Sequence, residues 1–344
     1  MAESPPARPW SPWPHRLAIV LAAATLLLML VGGTVTSLNA GDTEPSWSLR
    51  FWEWFQSPSR LLEKEGHVWE IGHRQIGTVV GFVMIAFLVL LHRGEERRWV
   101  RRLGWLAFAG VVAQGALGGL RVLVVSEEGD AVRSALAVDS GAGAQGLRYL
   151  FAVVHAGFAY LLFALMVCLV WLTSRRWRDG AAASAAGGRE IRRLCVATAA
   201  VLYGQLLAGA YLRHALVPTA GKLALHVGGA LAVALMVAWV GVRVFAARRE
   251  LAALVGPAVF LLLAVQVQIA LGILALVAGT GRYGGGISAA LRALLETGHQ
   301  IIGPLLFAGA ALLVLKAYRR LAVGERLPAP SAMRAEPAVG SGQA

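Results

Sequence analysis

The chain has 344 residues, 57% of them hydrophobic and 15% charged, with a mean hydropathy of +0.63. A soluble domain of this length carries far more charge, so that class is excluded. The formal net charge of +13 invites a nucleic-acid reading, but the basic residues collect in alternate loops, which makes them a membrane-topology signal.

Residues 1–16 form a lead rich in proline and tryptophan (Pro5, Pro6, Pro9, Trp10, Pro12, Trp13, Pro14), expected to be irregular. Segment one, about 17–38, is too long for a signal-peptide core and has no clear cleavage site, so it reads as a retained helix. The loop 39–69 holds Trp47, Phe51, Trp52, Trp54 and Phe55 and is expected to lie on the membrane interface as an aromatic cap. Segments two and three span about 68–91 and 103–125, and a mixed loop, 126–146, leads to segment four at about 147–173. The Ala-, Ser- and Gly-containing stretch 174–190 reads as a flexible linker dividing two halves, 17–173 and 191–318. Segments five to eight lie at about 191–212, 222–245, 251–278 and 290–318. Between the last two, 279–286 is glycine-rich, but no Lys-Ser/Thr follows it, so it reads as a turn and not a phosphate loop. The proline-containing tail, 319–344, is expected to be disordered.

Apolar runs near 20 residues are what a helix needs to cross about 30 Å of hydrocarbon. Eight of them predict an all-α integral membrane protein. Arginines and lysines follow the even segments, as in Arg97, Arg98, Arg101 and Arg102, or Arg175, Arg176 and Arg178, whereas the opposite loops mix signs. The expected placement is a cytoplasmic (inner) membrane with both termini cytoplasmic. The two cysteines, Cys168 and Cys195, read as small packing residues.

The even segments each carry one histidine near their start: His73, His155, His226 and His299. An alternating path puts all four at one depth on the outer side. In segments three, five and seven a glutamine precedes a glycine by four (Gln114 and Gly118, Gln205 and Gly209, Gln268 and Gly272), and Met29 and Gly33 supply that spacing in segment one. Each histidine is followed four residues later by Gly77, Ala159, Ala230 or Gly303. The pattern predicts one helix pair used four times, giving eight transmembrane helices as two pseudo-repeated four-helix bundles.

A titratable ring inside a membrane is costly and has a partner. Neutral imidazole is a strong iron ligand, and two from facing helices clamp a porphyrin between apolar walls. Zinc competes, but there is no His-Glu-x-x-His pair and no acidic cluster at ligand spacing. Glu70 and Glu296 lie three residues before His73 and His299, on the same faces, as candidate proton-handling groups or interfacial acids. Arg74, Arg148, Arg213, Lys222 and Arg292 lie at the level where heme carboxylates would end. The three glutamines are expected to bond between helices. His15, His67, His92 and His214 fall outside the repeat and read as solvated.

The stretch Glu70-Ile71-Gly72-His73-Arg74-Gln75-Ile76-Gly77 resembles the Glu-x-x-His-Arg signature of heme A synthases. Gly32-Gly33-Thr34-Val35-Thr36, His155, His226 and Gly298-His299-Gln300 match the same layout, and the similarity covers about 17–318. The resemblance implies oxidation of the C8 methyl of heme O to a formyl group, giving heme A for cytochrome oxidase assembly. It implies that His73 and His155 hold the substrate heme with Glu70 assisting. His226 and His299 would ligate a heme b cofactor, with Arg74, Lys222 and Glu296 in cofactor binding. Implied partners are membrane lipid, a heme O synthase, an electron donor and further copies of the chain, with no nucleic acid. Many members carry a cysteine pair in the first outer loop, and this loop has none. The alternatives are a diheme b-type cytochrome taking electrons from quinol, and a heme transporter or chaperone.

Overall fold

The computed structural model describes residues 10–41, 66–126, 129–179, 188–215, 217–279 and 287–321. The aromatic loop residues Trp47 to Phe55, residues 180–187 of the linker, 280–286 of the glycine-rich turn and 322–344 of the tail lie outside the described residues. Among the described residues all regular elements are helices: α1 (Trp13–Ser37), α2 (His67–Gly94), α3 (Arg98–Leu123), α4 (Asp130–Ala135), α5 (Ala142–Thr173), α6 (Arg175–Asp179), α7 (Gly188–Arg213), α8 (Ala220–Ala246), α9 (Ala252–Gly279) and α10 (Ala289–Arg320). Eight of these, all but α4 and α6, are long and apolar enough to span a membrane, so this is a multi-pass membrane protein.

Local chemistry sets the helix starts on the side where the histidines lie. Gly66, at φ 84, turns the chain into α2 in a conformation that β-carbon-bearing residues avoid. The Thr219 and Ser288 hydroxyls accept the backbone N–H of Lys222 and Leu291 and cap α8 and α10. Pro304 inside α10 has no N–H for the Gln300 carbonyl, which interrupts the helical ladder one turn beyond His299.

Helix α1 packs on α2 and α5, and α3 joins α2 to α5, closing a four-helix ring. In the second half α7 packs on α8 and α10, and α9 joins α8 to α10. The halves meet where α10 packs on α1 and α5, and α5 on α7. One apolar core, around Met84, Phe87, Leu91 and Met166, lies in the first ring; the other, around Leu254, Leu261, Leu306 and Leu313, lies in the second and reaches Tyr160 and Phe163 of α5. Large apolar side chains such as Trp105, Leu231 and Leu263 point away from both cores, as a lipid-facing surface requires.

Three expectations need correction. The lead is not wholly irregular: Trp13 to His15 are helical, Trp10 Nε1 donates to the Thr173 carbonyl at 3.1 Å, and His15 Nδ1 donates to the Val170 carbonyl at 3.0 Å. The linker is shorter than its composition implies, because α6 follows Ser174 directly and α7 already begins at Gly188. Nor do all four histidines fall near a helix start, since α5 and α10 begin early enough to place His155 and His299 several turns in.

Candidate functional site

In the first half, His73 and His155 line one cavity of about 570 Å³, within the roughly 300–1,000 Å³ of ligand pockets. Its walls are mostly apolar, including Leu28, Phe82, Ile85, Phe108, Val111 and Leu162. Glu70 and Arg74 also line it, and Arg74 donates to Glu70 at 2.8 Å with both side chains buried. His73 Nδ1 donates to the Leu28 carbonyl at 3.1 Å, which fixes the tautomer and leaves Nε2 with its lone pair. His155 is held against α3, its backbone carbonyl accepting from the Gln114 amide at 3.0 Å.

In the second half the His226 and His299 rings lie 6.0 Å apart between centroids, at 82°. With metal–nitrogen bonds of about 2 Å and about 1.1 Å from nitrogen to ring centre, one iron between two imidazoles sets the centroids about 6 Å apart. His299 Nδ1 donates to the Gln268 carbonyl at 3.0 Å, and the Gln205 amide reaches both Nδ1 of His226, at 3.1 Å, and its carbonyl, at 2.8 Å. The Gln268 amide lies 3.4 Å from His299 Nε2, so Gln114, Gln205 and Gln268 each bond between helices to a histidine or its backbone. No group of three or more His, Cys, Asp or Glu that could hold a metal ion occurs among the described residues.

All four histidines pack on a glycine of the preceding long helix. A β-carbon at Gly32, Gly118, Gly209 or Gly272 would lie 2.7, 3.6, 3.0 or 2.8 Å from the Cε1 atom of His73, His155, His226 or His299. This corrects the pairing read in segment one. Leu28 and Gly32 occupy the places assigned to Met29 and Gly33, and Gly33 faces Gln300 and Thr297 instead. The smaller residues beyond the histidines also separate: Gly77 lines the cavity, whereas Gly303 packs under Leu206.

The remaining candidates take distinct places. Glu296 accepts from Arg213 at 3.2 Å, and Arg213 also donates to Ser37, whose hydroxyl is 2.9 Å from that of Thr297; this polar chain joins α1, α7 and α10. Lys222 lines neither of the two cavities described here; its ammonium sits 5.7 and 5.0 Å from the centres of the Tyr149 and Tyr211 rings. Arg292 is exposed. His92 is exposed as expected, but His67 is buried at 1% exposure, and His214 lines the cavity. The sequence reading passed over Arg121 and Tyr160, which with Gln300 complete the cavity wall. Arg121 had a signal, standing three residues after Gly118 on the same helix face.

A family model described as "Cytochrome oxidase assembly protein" (COX15-CtaA) matches residues 55–220 of this chain. A protein of Hyphomonas neptunium named "Heme A synthase" is 26% identical over 226 residues, which is 58% of this chain. The chain spans the same share, 58%, of that relative's length.

Proposed function

We propose that the chain is a member of the heme A synthase family, a reading supported by the family-model match and the 26% identical relative, and that it oxidises the C8 methyl of heme O to a formyl group, yielding heme A. The observation that carries this reading is the cavity lined by both His73 and His155, with a buried carboxylate, Glu70, on its wall. Conversion of methyl to formyl, counted with water as the oxygen source, releases four protons and passes four electrons to an acceptor outside this chain, so a group able to accept or hold a proton beside the ring has a task.

The residues present fit heme at two places. In the first half the apolar walls and the open space at Gly81 and Gly115 suit a flat ring between His73 and His155, the substrate site. In the second half the 6.0 Å separation of His226 and His299 suits one iron of a resident heme b. That heme would supply one-electron chemistry next to the substrate half. The chain's own residues bind and orient. His73 presents Nε2 because its Nδ1–H is engaged, Arg74 holds the Glu70 carboxylate at the cavity, and the apolar walls exclude water. Glu70 takes up a proton as the methyl is oxidised. Glu296, paired with Arg213 and three residues before His299, holds the second-half site against the first. The histidine-bearing side of the bundle is the outer one, with both termini in the cytoplasm and the protein in the inner membrane.

The test is chromatography with mass detection of hemes extracted from cells that make heme O, with and without this protein. Heme A or its hydroxylated precursor is expected only with the protein. Unchanged heme O beside a bis-histidine heme b spectrum would replace this reading with an electron-transfer cytochrome.

A further inference from the structure

The cavity of His73 and His155 has two unlike ends. At the histidine-bearing end it adjoins a second, polar space of about 340 Å³ walled by Arg121, Arg148, Arg213 and His214, and the two share Val35 and Thr36. Away from that end the wall is apolar, with Val80, Ile85, Phe108, Val111 and Leu162. Four residues of the whole wall carry hydroxyls: Thr25, Thr36, Thr78 and Tyr160. The three threonines are committed to their own helices, donating to the carbonyls of Leu21 at 2.7 Å, Gly32 at 3.2 Å and Arg74 at 3.0 Å. Tyr160 differs. It is only 6% exposed, yet its hydroxyl makes no hydrogen bond among the described residues. Tyr203 of α7, by contrast, donates to the Gly157 carbonyl of α5 at 3.4 Å. Burying a hydroxyl without a partner is costly, so a phenol left in that state on the wall of a ligand-sized space is fitted to a group that the ligand brings. Its depth is defined as well. Helix α5 starts at the polar end, and Tyr160 stands five residues beyond His155, about 7.5 Å further along the axis. Its ring belongs to the core that includes Leu306 and Phe307, which places it on the α10 side of the cavity.

We propose that the Tyr160 hydroxyl bonds the hydroxyl of the hydroxyethyl-isoprenoid arm of heme O, so that Tyr160 selects this porphyrin and fixes its rotation in the cavity. The assignment rests on the reading that the cavity takes heme O. A ring with two carboxylates keeps them at the polar end, because a charge carried into hydrocarbon is costly. The arm leaves from the opposite edge, and its hydroxyl then lies at the depth of Tyr160. That orientation alone does not choose a methyl. Half a revolution about the axis through the carboxylate edge leaves the carboxylates in place and exchanges the C8 methyl for its counterpart on the other side of the ring. The arm breaks this symmetry. It stands on the same side of the axis as C8, so a bond from its hydroxyl to Tyr160 holds the C8 methyl on the α10 side, where Gln300 also lines the wall. Protoheme, with a vinyl group in place of the arm, leaves the phenol unpaired, and a site built to bond a hydroxyl discriminates strongly against a ligand that lacks it.

The test uses the full-length protein in detergent, carrying its resident heme, and follows the Soret shift on titration with heme O and with protoheme. Each ligand is compared between wild type and Tyr160→Phe, so the contribution of the isoprenoid chain cancels. The variant should bind heme O about 10-fold or more weakly, and protoheme within about 3-fold of wild type. Unchanged resident heme content shows that it has folded; if that content falls, Tyr160→Met, which also lacks the hydroxyl, repeats the comparison. Equal losses for both ligands, or no loss for heme O, overturn the assignment of Tyr160 while the His73 dependence of binding persists. If His73→Ala leaves the heme O titration unchanged, the cavity is not the heme O site and both readings fall together.

Discussion

The four glycine–histidine contacts allow a graded test. Ordinary van der Waals contact begins near 3.4 Å, so a β-carbon forces the ring back by about 0.7 Å at Gly32, 0.6 Å at Gly272 and 0.4 Å at Gly209, and not at all at Gly118. His73 and His299 are also tied through Nδ1 to backbone carbonyls at 3.1 and 3.0 Å, so their retreat stretches a hydrogen bond as well as crowding the helix pair. Overpacking costs about 1–3 kcal/mol and the lost bond about 0.5–1.5 kcal/mol, against a gain of about 1 kcal/mol from alanine's helix propensity. Ligand-orienting contacts of this kind are worth about 10- to 100-fold in affinity. Gly272→Ala should therefore lower resident heme occupancy, read from the pyridine hemochrome, more than Gly209→Ala does. Gly32→Ala should weaken heme O binding by about 10-fold or more, while Gly118→Ala binds like wild type. Equal losses in Gly32→Ala and Gly118→Ala would refute the reasoning, because the β-carbon at 118 meets its histidine at 3.6 Å, an ordinary contact.

Glu70→Gln should leave heme O bound and cut heme A formation about 100-fold or more, since the amide keeps the shape beside Arg74 but cannot take a proton; heme analysis showing full activity would remove Glu70 from the chemistry. Glu296→Gln should destabilise the detergent-solubilised protein by about 1 kcal/mol, a modest figure because both side chains of its pair with Arg213 are 22% exposed, and thermal denaturation checks it. Glu95, at the opposite end of the bundle, is buried, which raises its carboxyl, but the Arg97 side chain and backbone N–H outweigh burial and hold it below the ordinary 4.5. A carboxyl lowered in the native state stabilises fully above its unfolded value, and that stabilisation is lost as pH falls through the native one. Glu95→Gln should thus flatten the acid side of a stability profile measured below about pH 4.5, and an unchanged profile would count against the pairing.

What the sequence disclosed and what it withheld divide along physical lines. Eight spans follow from run length, because no other element satisfies its backbone in lipid. A common depth for the four histidines follows from their alternation, and the pairing of His73 with His155, and of His226 with His299, is what the family resemblance implied. The register of α1 did not follow: Gly32 and Gly33 are adjacent, no glutamine marks the helix, and only the packing of His73 decides between them. His67 looked like a loop residue because it precedes the apolar run, yet it begins α2 and is covered by the fold. Arg121 was counted within a span, where a cation reads as an interruption. Its meaning appears only when α5 and α7 bring Arg148 and Arg213 to the same space.

On the proposed reading the two heme sites share a helix, and that makes their occupancy interdependent. Helix α10 carries His299 to the second-half pair, while Gln300, the next residue, walls the first-half cavity, and Thr297 bonds Ser37 of α1. Helix α8, which carries His226, packs on α7 and α9. A ligand bridging His226 and His299 therefore fixes the rotation of α10, and with it the position of Gln300, next to a proline that has weakened the helix's own ladder there. His299→Ala and His226→Ala should both lose the resident heme, but the first also cuts the tie from His299 Nδ1 to the Gln268 carbonyl that anchors α10 on α9. Heme O affinity at His73 and His155 should fall several-fold further in His299→Ala than in His226→Ala, although neither change touches the first cavity. Identical heme O titrations for the two variants would mean that α10 is held by packing alone and that the halves bind independently.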